Sequence, residues 1–91
     1  MNQSTPSLGT LTDRIQVKLR LGDGYENPQA MWARVRALSG TDLTHSVVIR
    51  FRSDVQAGDL VIYRGRKLEV IEAKDLNGRR AYLQIAAREA E

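Results

Sequence analysis

Residues 44–52 read THSVVIRFR, and this stretch decides the fold because apolar and polar side chains alternate along it. Its apolar face consists of Val47, Ile49 and Phe51. Its other face is mostly polar and carries Ser46, Arg50 and Arg52. A period of two residues is the signature of a strand with one side buried. The stretch therefore predicts a strand that covers a small core.

The same alternation continues on both sides of this stretch, between residues that favour turns. Further strands are predicted at residues 13–21, 30–37, 60–63, 67–73 and 80–88. Helix remains an alternative for residues 30–37, where Ala, Met and Arg favour it. Arg64-Gly65 predicts a tight hairpin, and Asn77-Gly78 suits a type I′ turn. Six short, closely spaced strands predict an all-β protein, a small six-stranded β-barrel or a compact sandwich, and we favour the barrel.

The chain has 91 residues and no cysteine, so it is expected to form one domain without disulfides. A domain of this size buries only about 60–65% of the surface of its unfolded chain, so its stability margin is modest. Residues 1–12 are rich in Ser, Thr, Gly and Pro, which predicts a flexible, disordered N-terminal tail. The barrel is predicted over residues 13–88, with a frayed C-terminus at 89–91.

Charge and hydropathy narrow the class of protein. The net charge of +3 comes from 14 basic and 11 acidic residues, well short of a polybasic nucleic-acid arm. No apolar run approaches the roughly 20 residues of a membrane span, and a secretory signal is not evident at the N-terminus. We therefore expect a soluble intracellular protein that does not bind membranes.

Residues suited to catalysis or metal binding are scarce. His45 is the only histidine, and it lies within an alternating strand, where a packing or surface role is more common than catalysis. The loops at residues 22–27 and 75–78 lack the acidic twelfth position of a calcium loop, so turn formation explains them. The sequence predicts no enzyme, no catalytic residue, no metal site and no cofactor.

Basic residues recur on three of the predicted strands. They are Arg14, Lys18 and Arg20 on the first, Arg34 and Arg36 on the second, and Arg50 and Arg52 on the third. If these strands pair, one face of the barrel becomes basic and could contact phosphates. Trp32 could stack a base or anchor a protein interface. A nucleic-acid-binding barrel is therefore an alternative function, and a solvated outer face is the simpler interpretation.

Four ordered segments resemble the head-tail joining proteins of tailed phages, also called head-tail adaptor or head-closure proteins. The segments are residues 32–40 (WARVRALSG), 44–52 (THSVVIRFR), 58–66 (GDLVIYRGR) and 75–80 (DLNGRR). Their order and spacing are similar to the family over most of residues 13–89. The resemblance implies a small β-barrel that assembles as a ring beneath the portal and adaptor, closes the packaged head and docks the tail.

The resemblance also implies partners and a location. The partners are the portal or adaptor ring, tail-completion or tail-tube proteins, other copies of the chain, and DNA passing through the channel. The location is the virion of a phage or prophage, after assembly in the bacterial cytoplasm. The chain departs from the family where only Thr41-Asp42-Leu43 separates Gly40 from Thr44, because relatives carry a longer segment there that is associated with gating the channel. This departure favours a connector that keeps the docking scaffold without the long loop.

The expected contact residues follow from these patterns. They are Trp32, Arg34, Arg36, Gly40, Thr41, Asp42, Leu43, Arg50 and Arg52. Residues 53–58 form a second candidate contact loop. We expect subunits to pair through exposed strand edges and complementary charge.

Overall fold

Eight strands form in residues 11–39 and 42–89, the part of the chain that the computed structural model describes. Their bounds are β1 Asp13–Lys18, β2 Arg20–Leu21, β3 Gly24–Tyr25, β4 Gln29–Ala37, β5 His45–Arg50, β6 Leu60–Tyr63, β7 Arg66–Asp75 and β8 Tyr82–Glu89. Residues 30–37 are strand, so the helical alternative for them is wrong.

Six of the strands close into a barrel in the order β1-β4-β5-β8-β7-β6, and β6 pairs back onto β1. Every neighbouring pair in the barrel is antiparallel. The predicted all-β, six-stranded barrel is therefore confirmed. A fully closed barrel has no edge strand, and the expectation that subunits pair through exposed strand edges stays a prediction.

The barrel interior is filled by the apolar face of each strand. Since side chains alternate across a strand, Val47 and Ile49 on β5 point inward together with Leu68 on β7 and Ile85 on β8. All four are at most 1% exposed. The apolar face predicted for residues 44–52 is thus the core face of β5.

The first predicted strand does not continue to residue 21 as one element. β1 ends at Lys18, and after Leu19 the chain forms a two-stranded ribbon of β2 and β3, which we call the arm (residues 20–25). Leu21, which belongs to the alternating pattern of residues 13–21, is 63% exposed. The arm pairs only with itself, so its alternating pattern continues with no core to cover.

The first barrel strand begins at residue 13, as predicted, and the last ends at Glu89, one residue beyond the predicted end. Leu11, which the sequence assigned to the disordered tail, is only 6% exposed. Glu89, assigned to the frayed C-terminus, ends β8, and its N–H donates to Thr44 Oγ1 at 2.7 Å. Residues 1–10, 90 and 91 lie outside the described residues.

The predicted hairpin joins β6 to β7 through Arg64 and Gly65, with Tyr63 opposite Arg66. Both turn residues have positive φ angles, 54° and 79°, as a type I′ turn requires. Between β7 and β8, Asn77 and Gly78 also have positive φ angles, 63° and 68°, but they belong to a longer connection, residues 76–81, that begins with the 3-10 helix Leu76–Gly78 and is not a two-residue turn.

Gly65→Ala is expected to lower the free energy of unfolding by about 1 kcal/mol, the cost of placing a Cβ in the left-handed region. No atom lies within 4 Å of the added Cβ, so the loss comes from the backbone rather than from a clash. Urea unfolding measures it. Gly24→Ala is the matched control, since Gly24 has equally open space and no left-handed φ. Equal losses in the two variants would contradict this explanation.

Candidate functional site

A groove opens where β4 and β5 separate. The two strands pair only between Arg34–Ala37 and His45–Val48, although β4 begins at Gln29 and β5 continues to Arg50. The space between them, which we call the seam groove, has a volume of about 790 Å³. Its lining residues are Leu11, Thr12, Gln29, Ala30, Met31, Trp32, Arg50, Phe51 and Arg52.

The wall that β4 contributes to the seam groove carries backbone that β5 leaves unpaired among the described residues. Leu38 N–H donates to Thr44 O at 2.8 Å. This bond shows which residues of β4 direct their backbone N–H and C=O groups toward β5. In an antiparallel pair, every second residue directs its N–H and C=O toward the same neighbour. By this alternation Trp32 and Ala30 direct theirs toward the β5 side, beyond the point where pairing with β5 ends. The groove therefore presents a short strand edge inside an otherwise closed barrel.

Trp32 is the largest side chain of the seam groove and is 51% exposed. The β1–β4 register places Arg14 directly opposite it, and the guanidinium carbon of Arg14 lies 4.6 Å from the ring centroid. A cation–π contact of this kind at an exposed site contributes about 0.5–1 kcal/mol. The contact orients the indole while leaving about half of the residue accessible.

The two arginines of the seam groove differ in their availability. Arg52 donates from Nε and Nη2 to the two carboxylate oxygens of Asp54, both at 2.6 Å, and from Nη1 to Gln29 Oε1 at 3.2 Å. Hydrogen bonding to Asp54 raises the pKa of Arg52, while the hydrogen bond from Arg52 lowers the pKa of the Asp54 carboxyl. Arg50 is exposed and makes no ion pair with any described residue. Arg50 is thus the free cation of the pair.

Asp54→Asn is expected to lower the free energy of unfolding at pH 7 by less than about 1 kcal/mol, because the Arg52–Asp54 pair is solvent-accessible. The pKa of Asp54 is depressed in the folded state, so its contribution is present above the unfolded pKa of about 3.9 and disappears as pH falls through the folded pKa. Urea unfolding of both proteins from pH 7 downward should show the difference shrinking to zero. Asp23→Asn is the control for removing an exposed carboxylate. A stability difference between wild type and Asp54→Asn that grows at low pH would contradict a depressed pKa for Asp54.

The residues expected to contact partners do not form one site. Trp32, Arg50 and Arg52 meet in the seam groove. Arg36 and Leu43 lie at the opposite end of the β4–β5 seam, where they line a second cavity of about 340 Å³ together with Glu72 and Lys74.

The remaining candidates occupy other positions. Arg34 is exposed on β4 between the two cavities, and Asp42 is exposed before β5. Gly40 and Thr41 lie outside the described residues.

The outer face of β1, β4 and β5 is basic, because the three strands that carry the arginine rows are neighbours in the barrel. Arg14, Arg34, Arg36 and Arg50 are all exposed on it. Among residues 11–39 and 42–89, none of these four guanidinium groups is paired with a carboxylate.

His45 has a packing role. It is 8% exposed, its Nδ1 shares a hydrogen bond of 2.8 Å with Thr44 Oγ1, and its ring packs edge-on to Tyr63 at 6.4 Å between centroids. In the described part of the chain, no three His, Cys, Asp or Glu residues are placed to hold a metal ion. No helix among those residues is long and apolar enough to cross a membrane.

Asp59 is a structurally important residue that the sequence did not reveal. It is 2% exposed, and its two carboxylate oxygens accept the Arg20 N–H at 2.7 Å and the Gln56 N–H at 2.8 Å. At the same end of the arm, Glu26 N–H donates to Leu19 O at 2.8 Å. Asp59 thereby ties the base of the arm to the loop that precedes β6.

The bond from Gln56 N–H to the Asp59 carboxylate is typical of an aspartate in a turn. The pair Gly58-Asp59 indicates such a turn in the sequence. The bond to Arg20 joins residues 39 positions apart, and no local pattern signals it.

Comparison with known proteins assigns a family to this barrel. The model of the family described as "phage head completion protein" matches residues 6–90. The chain is also similar to the solution structure of protein SF1141 from Shigella flexneri 2a, with a TM-score of 0.71 and 26% sequence identity over 93% of this chain and 97% of that one. No curated protein sequence matches. Because the family match spans the arm, the seam groove and every barrel strand, the chain belongs to the phage head completion protein family.

Proposed function

We propose that this chain is a subunit of the head-tail connector that forms a ring under the portal or adaptor, closes the packaged head and docks the tail. The observation that carries the proposal is the family match over residues 6–90, which gives the chain a structural role among the head and tail proteins of a virion. Ring formation, the individual partners and assembly in the host cytoplasm are the parts that we add.

The surface of the barrel supports a role in assembly. An interface anchor is typically an aromatic or arginine side chain that remains accessible in the free subunit. Trp32 and Arg50 meet this description in the seam groove. We assign the seam groove and the second cavity, which includes Arg36 and Leu43, as the surfaces that contact neighbouring subunits or the portal and tail proteins.

The short connection between β4 and β5 bears on the channel. β4 ends at Ala37 and β5 begins at His45, so only residues 38–44 join them. We propose that this connector docks the tail without the long gating loop that the resemblance implies for its relatives.

Disruption of the gene tests the proposed function. We expect DNA-packaged heads without tails, or heads that have lost their DNA, in electron micrographs of the lysate. Supplying the wild-type gene in trans should restore tailed particles, which controls for effects on neighbouring genes. Complete infectious particles in the absence of the protein would refute the proposal.

Contact with DNA is a second candidate function, favoured by Arg34, Arg36 and Arg50, which lie on the outer face of adjacent strands and form no ion pair within residues 11–39 and 42–89. Binding to a duplex fragment should then weaken steeply as salt rises, since each neutralised phosphate releases counterions. The double variant Arg34→Gln, Arg36→Gln removes about two phosphate contacts. The slope of log binding constant against log salt concentration should therefore become shallower by about two. Absence of binding by the wild-type protein at low salt would rule out this candidate.

A further inference from the structure

The exposed large apolar side chains of the described residues lie on two features, the arm and the seam groove. Leu21 is 63% exposed and Tyr25 is 41% exposed on the arm, and Trp32 is 51% exposed in the groove. Large apolar side chains left in water at adjacent positions are typical of surfaces that become buried in an assembly. We propose that the arm of one subunit docks in the seam groove of the adjacent subunit, and that this contact links the ring. The inference rests on the proposed ring.

The chemistry of the arm matches that of the groove. The tip of the arm carries Asp23, and Glu26 follows the arm directly, while Arg20 lies at its base with Nε donating to Gly22 O at 3.5 Å. The groove contributes Arg50, which has no carboxylate partner in the part of the chain that is described, and Arg14 lies beside the lining residues, stacked on Trp32. An acidic tip that faces these cations is attracted during encounter and held in register afterwards.

The backbones are complementary as well. β2 and β3 form a ribbon of two strands, so each keeps one free edge. β4 directs the N–H and C=O groups of Ala30 and Trp32 into the groove, where no described residue of β5 pairs with them. An extended segment can extend such an edge by main-chain hydrogen bonds, while its side chains fill the adjoining pockets. The arm supplies a segment of this kind.

The arm does not satisfy the groove of its own subunit, because Leu21, Tyr25 and Trp32 all stay exposed in the single chain. Its base is fixed by the bonds that link Arg20 to Asp59 and Glu26 to Leu19. A chain that carries two complementary surfaces in different places makes head-to-tail contacts, and these close into a ring when the rotation permits. A second copy is therefore the occupant that the structure favours.

Disulfide trapping in assembled particles tests the contact, since the chain has no cysteine of its own. The pair Asp23→Cys, Arg50→Cys should give a covalent ladder that extends beyond the dimer on a non-reducing gel of oxidised virions. The control pair Asp23→Cys, Lys67→Cys places the second thiol on β7, on the opposite side of the barrel, and should remain monomeric. A ladder in the control pair, or a ladder that stops at the dimer with the test pair, would overturn the inference.

Charge exchange tests the same contact without a covalent bond. Asp23→Arg and Arg50→Asp should each reduce the titre of infectious particles by about tenfold or more, because one like-charge contact that costs 1.4 kcal/mol lowers affinity tenfold. The double variant should recover most of the loss. Thermal unfolding of each purified variant shows whether the fold is intact, and two losses that add in the double variant would contradict direct contact.

The outcomes separate the contact from the proposed function. Tailed, infectious particles that contain the cysteine pair but show no cross-link would overturn the arm–groove contact and leave the head-tail role intact. Tailed particles that lack the protein altogether would overturn the role itself. A cross-link from the cysteine at position 50 to a different virion protein would assign the groove to that protein. It would reject a second copy of this chain as the occupant.

Discussion

Asp59→Ala is expected to lower the free energy of unfolding by about 2–4 kcal/mol, because the N–H donors of two part-buried hydrogen bonds lose their acceptor at about 1–3 kcal/mol each. The donors are the N–H groups of Arg20 and Gln56, and the carboxylate that accepts them is almost fully buried. Small domains are stable by only about 5–15 kcal/mol, so this change removes a large part of the margin. It should also loosen the base of the arm.

Two measurements check this expectation. Urea unfolding gives the change in free energy, and amide hydrogen exchange at Arg20 reports on the arm itself, where the rate should rise. Asp23→Ala is the matched control, because Asp23 is exposed at the tip of the arm. The loss of free energy for Asp59→Asn should lie between those for Asp23→Ala and Asp59→Ala. The asparagine amide oxygen accepts one of the two N–H groups, while its NH₂ group faces the other. A loss below about 1 kcal/mol for Asp59→Ala would show that water replaces the carboxylate at little cost.

The barrel could be predicted because its determinants are local. The alternation that buries Val47 and Ile49 repeats every two residues, and it fixes which face of β5 points inward. The turn at Arg64-Gly65 is equally local, since two adjacent positive φ angles define it. Patterns of this range can be recognised in a single sequence.

Features that depend on distant residues were not predictable. The alternation around Leu21 looks like that of a buried strand, yet the side chain is exposed because the chain leaves the barrel after Leu19. What anchors that departure is Asp59, 39 residues from Arg20. Barrel closure depends on the non-local pairing of β1 with β6, and the number and spacing of the strands predicted the barrel without giving that register.

The candidate interface was predicted as a set of residues and not as a surface. Trp32 and Arg14 lie 18 positions apart in the sequence, and only the β1–β4 register places the guanidinium on the indole. The seam groove arises from strands that pair along part of their length, and neither strand sequence records where pairing stops. The sequence therefore identified several of the side chains, while the register divided them between two cavities.

Trp32→Ala is expected to separate assembly from stability. About half of Trp32 is exposed and its ring contacts Arg14, so its removal should lower the free energy of unfolding by no more than about 1–2 kcal/mol. Tryptophan anchors at the centre of interfaces typically contribute about 2 kcal/mol or more, which corresponds to about a thirtyfold loss of affinity for each contact. In a ring every subunit loses the same contact. The titre of infectious particles should therefore fall by at least tenfold while the isolated protein stays folded.

Far-UV circular dichroism during urea unfolding measures the stability, because the variant lacks the only tryptophan and its fluorescence. Trp32→Phe is the control that keeps an aromatic ring in the seam groove, and it should retain most of the titre. If Trp32→Ala unfolds at the same urea concentration as wild type and plates with full titre, the seam groove contacts no partner that the virion needs. If both variants lose titre in proportion to their stability, Trp32 supports the barrel and the interface lies elsewhere. Only a loss of titre at preserved stability, restored by phenylalanine, identifies the aromatic ring at position 32 as a docking anchor, because an aromatic ring is then required outside the core.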